Sequence, residues 1–157
     1  MTIRSNDLSR ASRTASPAMP DQYHLQRFVD AQEPVFAQVV TELQAGCKIG
    51  HWMWFIFPQL RGLGSSPMAS RFGIGGLGEA QAYLHHPILG SRLGECTRLT
   101  IQASRPSVAE IFGYPDNLKF HSSMTLFLHA GSNDGVFRQA LDKYFGGAPD
   151  PLTLERL

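Results

Sequence analysis

The stretch KIGHWMWFIFPQ, residues 48–59, holds both tryptophans of the chain, two of its ten phenylalanines and one of its six histidines. It is too short to cross a bilayer, which takes about 20 apolar residues. Its apolar positions follow neither the period of a surface helix nor the alternation of a half-buried strand, and Gly50 and Pro58 interrupt it. We therefore predict an irregular aromatic segment that is buried in the protein or lines a pocket.

The composition is that of one globular domain. The chain has 157 residues, of which 43% are hydrophobic and 10% aromatic, and this is enough for a proper core. The formal net charge of +1 gives no reason to expect nucleic acid or a charged membrane surface as a partner.

Localisation and cofactors follow from what the sequence lacks. No apolar signal region follows the first methionine, and no apolar run is long enough to enter a membrane. Cys47 and Cys96 lie far apart and have no further Cys or His at zinc-ligand spacing. We expect a cytoplasmic protein with reduced thiols and without a metal or other cofactor.

The apolar spacing predicts an all-α fold. Residues 1–20 are rich in Ser, Thr and Arg and are expected to form a disordered leader, whereas residues 21–157 are expected to form a single helical domain. We predict a compact bundle of about seven to eight short helices around the aromatic segment. The predicted helices cover residues 25–32, 33–46, 68–72, 77–85, 87–103, 115–130 and 134–145, with shorter helical turns at 108–112 and 151–157.

Polar residues at the margin of one predicted helix form a candidate site. On the helix over residues 115–130, Asp116, Lys119 and Ser123 border the apolar arc that should face the core, whereas Ser122 points away from it. Such a trio can point into a cleft beside the core. The structural alternative is that Asp116 complements the helix dipole and pairs with Lys119 at i,i+3 spacing.

The aromatic segment supplies further candidates. A histidine has an unperturbed pKa near neutrality, and His51 would be shielded from water by indole neighbours, which suits a general acid or base. Trp52 and Trp54 could stack on a flat ligand, and Gln59 could hold a ligand amide. Each of these residues also has a structural alternative, because a histidine beside tryptophans is often hydrogen-bonded in the core and large aromatics usually fill it.

A glycine-rich loop over residues 73–78 matches the pattern G-x-G-x-x-G, which can cradle a phosphate at a helix N-terminus. The dinucleotide-binding motif requires a strand before the loop, and none is predicted here. The match is therefore weak evidence for a nucleotide cofactor.

Three motifs resemble a known family. HWMWFIFPQ at residues 51–59, YLHHPILGSRL at 83–93 and FGYPDNLKFHSSMTLF at 112–127 resemble, in the same order, the bacterial domain of unknown function 1810, whose members have sometimes been titled calpastatin. The similarity covers residues 24–146. It implies a compact, mainly helical domain without an established activity. Relatives usually have a Ser-rich helix start where this chain has Gly75 and Gly76, which marks the G-x-G-x-x-G match as accidental.

We predict a pocket between the aromatic segment and the helix that carries Asp116, which binds a small polar or nucleotide-like molecule and, if the protein is an enzyme, acts on it. The candidate catalytic residues are His51, Asp116 and Lys119, and the candidate ligand-binding residues are Trp52, Trp54, Gln59 and Ser123. The alternative is a non-enzymatic protein-interaction module that uses the glycine-rich loop 62–66 and nearby aromatic side chains.

Overall fold

The computed structural model describes residues 20–131 and 135–157 and contains ten α-helices in these ranges, without strands. The predicted all-α single domain is confirmed. The predicted disordered leader lies, apart from Pro20, outside the described residues. The helices are α1 (Gln26–Gln32), α2 (Phe36–Gln44), α3 (Met53–Ile56), α4 (Pro67–Phe72), α5 (Leu77–His85), α6 (Leu89–Gln102), α7 (Val108–Phe112), α8 (Asp116–Ala130), α9 (Val136–Phe145) and α10 (Pro151–Arg156).

Local capping signals determine several helix ends. The Ser107 hydroxyl accepts a hydrogen bond from the Glu110 N–H at 3.3 Å, and α7 stops at Gly113, which has a φ of 78°. Ser66 caps α4 in the same way and Asp150 caps α10, and in both helices proline occupies the first turn. The described residues contain more helices than the predicted seven to eight, partly because the aromatic segment itself contains a helical turn.

Helix α8 is the centre of the core. Phe120, Met124 and Phe127 on this helix are fully buried, and α5, α7, α9 and α10 pack around it. Helix α6 packs against α2, α5 and α9. One stripe of α6 residues, spaced by three or four positions, is buried and consists of Leu89, Leu93, Cys96 and Thr100, followed by Ala103 at the C-cap.

The aromatic segment lies between α2 and α8. It is less irregular than predicted, because Trp52 precedes the single helical turn α3. Phe57 then packs edge-on against the rings of Phe112 and Phe120, with centroids 5.7 and 5.1 Å apart. The segment therefore joins the first two helices to the α7–α8 part of the core.

A short parallel bridge fixes the chain after the segment. Leu60 pairs with Ile74, the Arg61 N–H donates to the Ile74 carbonyl at 2.8 Å, and the Ile74 N–H donates to the Gln59 carbonyl at 2.9 Å. The backbone of Gln59 is thereby held in place next to α8.

The G-x-G-x-x-G loop binds a side chain of its own domain. The Gly75 N–H donates to Glu79 Oε1 at 3.0 Å, and Glu79 Oε2 forms a 2.8 Å ion pair with Arg27. The Gly75 N–H, which a bound phosphate would need as a donor, is thus already hydrogen-bonded to a buried carboxylate. Because no strand of the described residues precedes this loop either, its role is structural.

Candidate functional site

A buried carboxylate positions the start of the aromatic segment. Glu42 Oε1 accepts hydrogen bonds from the Ile49 N–H at 2.7 Å, the Gly50 N–H at 2.9 Å and the Trp52 indole N–H at 2.9 Å. Its Oε2 accepts from the Gln38 amide at 2.6 Å. Burial opposes ionisation and would raise the pKa of Glu42, but these hydrogen bonds outweigh it and lower the pKa to about 2. Glu42 therefore remains charged and holds the loop on α2.

This anchoring contradicts two of the predictions for the segment. Trp52 is only 1% exposed, and its ring faces Phe57 and Phe112 in the core, so that it cannot stack on a ligand. His51 is exposed and does not line either of the spaces described below. The expected shielding of His51 by indoles is wrong, because the Trp52 indole turns inward to reach Glu42.

The predicted meeting of the segment and α8 takes place through charged side chains. Asp116 Oδ2 lies 2.8 Å from Lys48 Nζ, and Asp116 Oδ1 lies 3.3 Å from Lys119 Nζ. The Lys48 and Lys119 ammonium groups also lie over the Trp52 and Trp54 rings, 5.2 and 5.1 Å from the ring centroids. The i,i+3 pair of Asp116 and Lys119 is thus present, and Lys48 adds a second cation to the same carboxylate.

Two adjoining spaces open beside this charged cluster. A small pocket of about 10 Å³ lies over Trp54, Gln59 and Lys119, and a larger cleft of about 370 Å³ extends outward from the same region. Gln59 and Lys119 line both spaces. The remaining lining residues of the small pocket are Phe57, Ala69, Phe72 and Gly73, and those of the cleft are Leu63, Gly64, Pro115, Leu118, His121, Ser122, Asp150 and Leu152.

Three of the seven predicted site residues therefore come together, namely Trp54, Gln59 and Lys119, and Asp116 holds Lys119 in place. Ser123 does not join them. It is fully buried, and among the described residues its Oγ has no hydrogen-bond partner.

Ser122 lines the cleft instead, although its position on the helical wheel suggested that it points away. Its hydroxyl donates to Asp150 Oδ2 at 2.9 Å and to the Leu118 carbonyl at 3.1 Å. The prediction failed because α10 and the loop before it cover this flank of α8, so that the helix has a second inward side.

The sequence interpretation also missed the C-terminal wall of the cleft. Asp150 Oδ2 accepts hydrogen bonds from the Thr153 N–H at 3.2 Å and the Thr153 hydroxyl at 2.6 Å, which makes Asp150 the N-cap of α10. His121 stacks on Phe145 with a centroid distance of 3.8 Å, and its Nε2 lies 2.8 Å from the Ala148 carbonyl. The Asp150-Pro151 pair is an N-cap signature that could have indicated this wall.

The described residues contain neither a group of three metal-ligating side chains nor a helix long and apolar enough to cross a membrane.

The fold and the cleft define a compact all-α domain with an amphipathic depression between α8, α10 and the aromatic segment. The family described as "Protein of unknown function (DUF1810)" matches residues 22–157, and the chain belongs to this family. The resemblance carried by the three motifs is thereby confirmed. The chain is similar to a solved structure, the conserved hypothetical protein Rv1873 from Mycobacterium tuberculosis, with 58% identity and a TM-score of 0.85 over 87% of this chain and 98% of that one. No curated protein matches.

Proposed function

We propose that the protein binds a small polar or nucleotide-like molecule in the cleft, with the polar end of the ligand at Gln59 and Lys119. The observation that carries this proposal is that these two side chains line both the small pocket and the larger cleft. A volume of about 370 Å³ lies in the range of ordinary small-molecule sites, which run from about 300 to 1,000 Å³.

The hydrogen-bond donors of Lys119 and Gln59 that the described residues leave unused support a polar ligand beside these two residues. A lysine ammonium has three N–H donors, and among the described residues Lys119 donates to Asp116 alone. Within the same part of the chain the side-chain amide of Gln59 has no hydrogen-bond partner, although its backbone carbonyl is bonded to Ile74. These N–H donors lie at the edge of the cleft and are not used by the described part of the fold, so they are available to a ligand.

The other walls suit an apolar or planar part of the ligand. Leu63, Leu118 and Leu152 line the cleft, and Leu118 and Leu152 are 51% and 60% exposed. Covering these side chains with a ring or an alkyl chain would contribute about 25 cal/mol per Å² of apolar area removed from water.

The proposal is for binding, and we assign no reaction to the cleft. His51 lies outside it, and the Asp116 carboxylate is shared between two ammonium groups. Asp116 therefore serves to position Lys119. We also propose a cytoplasmic location, on the sequence features given above and on the free thiols of Cys47 and Cys96.

A thermal-shift screen of nucleotides and small metabolites tests the proposal. Wild type should be stabilised by at least one compound, and Lys119→Met should reduce its affinity about tenfold or more, because a hydrogen bond to a charged group contributes about 1.5–3 kcal/mol. Lys143→Met is the matched control, since Lys143 also lies over an aromatic ring, that of Tyr144 at 5.0 Å, but does not line the cleft. Stabilisation by no compound, or equal stabilisation of wild type and Lys119→Met, would contradict the proposal.

A protein-interaction module is the second candidate. Leu118 and Leu152 are exposed on the cleft walls, and Tyr114, next to the lining residue Pro115, is 81% exposed. A protein partner would cover these apolar side chains together. A pull-down with wild type and with the Leu152→Ser variant tests this candidate. An interaction module should retain a protein partner in stoichiometric amount on wild type and lose it on Leu152→Ser.

A further inference from the structure

The cleft has few groups that could hold a phosphate. Lys119 is its one ammonium group, and no arginine is among its described lining residues. The other basic side chain that lines the cleft is His121, and its Nε2 is hydrogen-bonded to the Ala148 carbonyl. A phosphate is usually held by several donors, such as an arginine fork or the N–H groups at a helix N-terminus.

At the helix ends beside the cleft, three backbone amides are already bonded within the protein. At the start of α8 the Asn117 N–H donates to the Gly113 carbonyl at 2.9 Å and the Leu118 N–H to the Pro115 carbonyl at 3.0 Å. At the start of α10 the Asp150 side chain accepts the Thr153 N–H. The Asn117, Leu118 and Thr153 amides are therefore bonded within the protein and are not free for an anion.

The charges at the cleft suit a ligand with one negative charge better than a ligand with two. The cluster of Lys48, Asp116 and Lys119 has a formal charge of +1, and its lysine side chains are only 9% and 21% exposed. Asp150 on the facing wall carries a negative charge that its hydrogen bonds to Ser122 and Thr153 hold in place. A phosphate monoester would bring a charge of about −1.5 to −2, whereas a carboxylate brings −1.

We infer that the ligand is a small organic carboxylic acid with an apolar body, and that its carboxylate is the group recognised by Lys119 and Gln59. This inference rests on the proposed function and narrows its ligand class. One carboxylate oxygen accepts from the Lys119 ammonium and the other from the Gln59 amide. The small pocket of about 10 Å³, which is roughly the space that one water molecule requires, takes a single oxygen atom. The apolar body lies along Leu63, Leu118 and Leu152.

Matched probe pairs test the head group with the body held constant. The pairs are benzoate with phenyl phosphate, and 3-phenylpropanoate with 2-phenylethyl phosphate; benzamide is the uncharged probe. Affinities for wild type, Lys119→Met and the control Lys143→Met are measured by ligand-observed NMR and calorimetry. Each carboxylate should bind wild type and Lys143→Met at least tenfold more tightly than its phosphate partner, and Lys119→Met should lose this preference. Benzamide should bind more weakly than benzoate.

The possible failures of the two proposals can be told apart. Equal or tighter binding of the phosphates, or a carboxylate preference that Lys119→Met retains while it binds both head groups more weakly than wild type, would overturn the inference and leave a ligand-binding cleft. The inference alone also fails if neither series binds while a nucleotide stabilises the protein in a Lys119-dependent manner. If no compound of the thermal-shift screen and no matched probe binds in a Lys119-dependent manner, both proposals are wrong.

Discussion

The buried carboxylate of Glu42 allows a quantitative prediction about stability. Replacing it by glutamine keeps the shape of the side chain but exchanges one hydrogen-bond acceptor for a donor. Glu42 is 6% exposed and receives four hydrogen bonds, three of them from the start of the aromatic segment. Glu42→Gln should therefore loosen the attachment of this segment to α2.

The magnitude follows from the pKa of Glu42. Its ordinary value of 4.5 falls to about 2 in the folded protein, because the hydrogen bonds outweigh the opposing effect of burial. One pKa unit corresponds to about 1.4 kcal/mol, so ionised Glu42 contributes about 3 kcal/mol to the free energy of unfolding near neutral pH. Since the folded pKa is the lower one, this contribution is complete above pH 4.5 and is lost as the pH falls towards 2. More than half of it should be gone by about pH 3.

Urea unfolding followed by tryptophan fluorescence measures this effect. At pH 7 Glu42→Gln should lower the free energy of unfolding by about 3 kcal/mol, and the gap to wild type should shrink to less than half at about pH 3. Glu95→Gln is the control, because Glu95 is an exposed carboxyl on α6 and its loss should cost little. A cost below about 1 kcal/mol for Glu42→Gln at pH 7, or a gap that does not change with pH, would refute this reasoning.

Two further predictions concern packing and an unpaired hydroxyl. Gly90→Ala should destabilise the protein by at least about 3 kcal/mol or prevent folding, because a Cβ there would lie 2.1 Å from a carbonyl oxygen of α5, whereas Gly94→Ala on the same helix should be tolerated, with its nearest new contact at 3.4 Å. Similar melting temperatures for the two variants would contradict this. Ser123→Ala should leave the free energy of unfolding unchanged or raise it by up to about 1 kcal/mol, because it removes a buried hydroxyl that has no hydrogen-bond partner among the described residues. A loss above about 1 kcal/mol in urea unfolding would indicate that the hydroxyl is hydrogen-bonded.

The fold was largely predictable because its signals are local. Ser107 and Gly113 delimit α7 as their capping preferences indicate, and the α6 stripe is buried because its spacing follows the helix period. Such signals need only a few neighbouring residues and no knowledge of the tertiary structure.

The candidate site was predictable only in part, because side-chain directions in it depend on distant partners. Glu42 turns the Trp52 indole inward and leaves His51 at the surface, and no local pattern indicates this contact between two elements. The pairing of Lys48 with Asp116 likewise joins residues that are far apart in the chain. Trp54, Gln59 and Lys119 line one pocket, since they belong to the two elements between which the sequence predicts a site.

The two tryptophans provide the most direct measurement of the central claim, since each has one indole N–H and the chain has no other tryptophan. In a ¹H–¹⁵N correlation spectrum recorded during titration with 3-phenylpropanoate, the Trp54 indole signal and the Gln59 side-chain amide signals should shift together and saturably. The Trp52 indole signal should stay in place, because this N–H is bound to Glu42 in the core. Signals of Trp54 and Gln59 that do not move, or a shift at Trp52 alone, would contradict a carboxylate-binding site at Lys119.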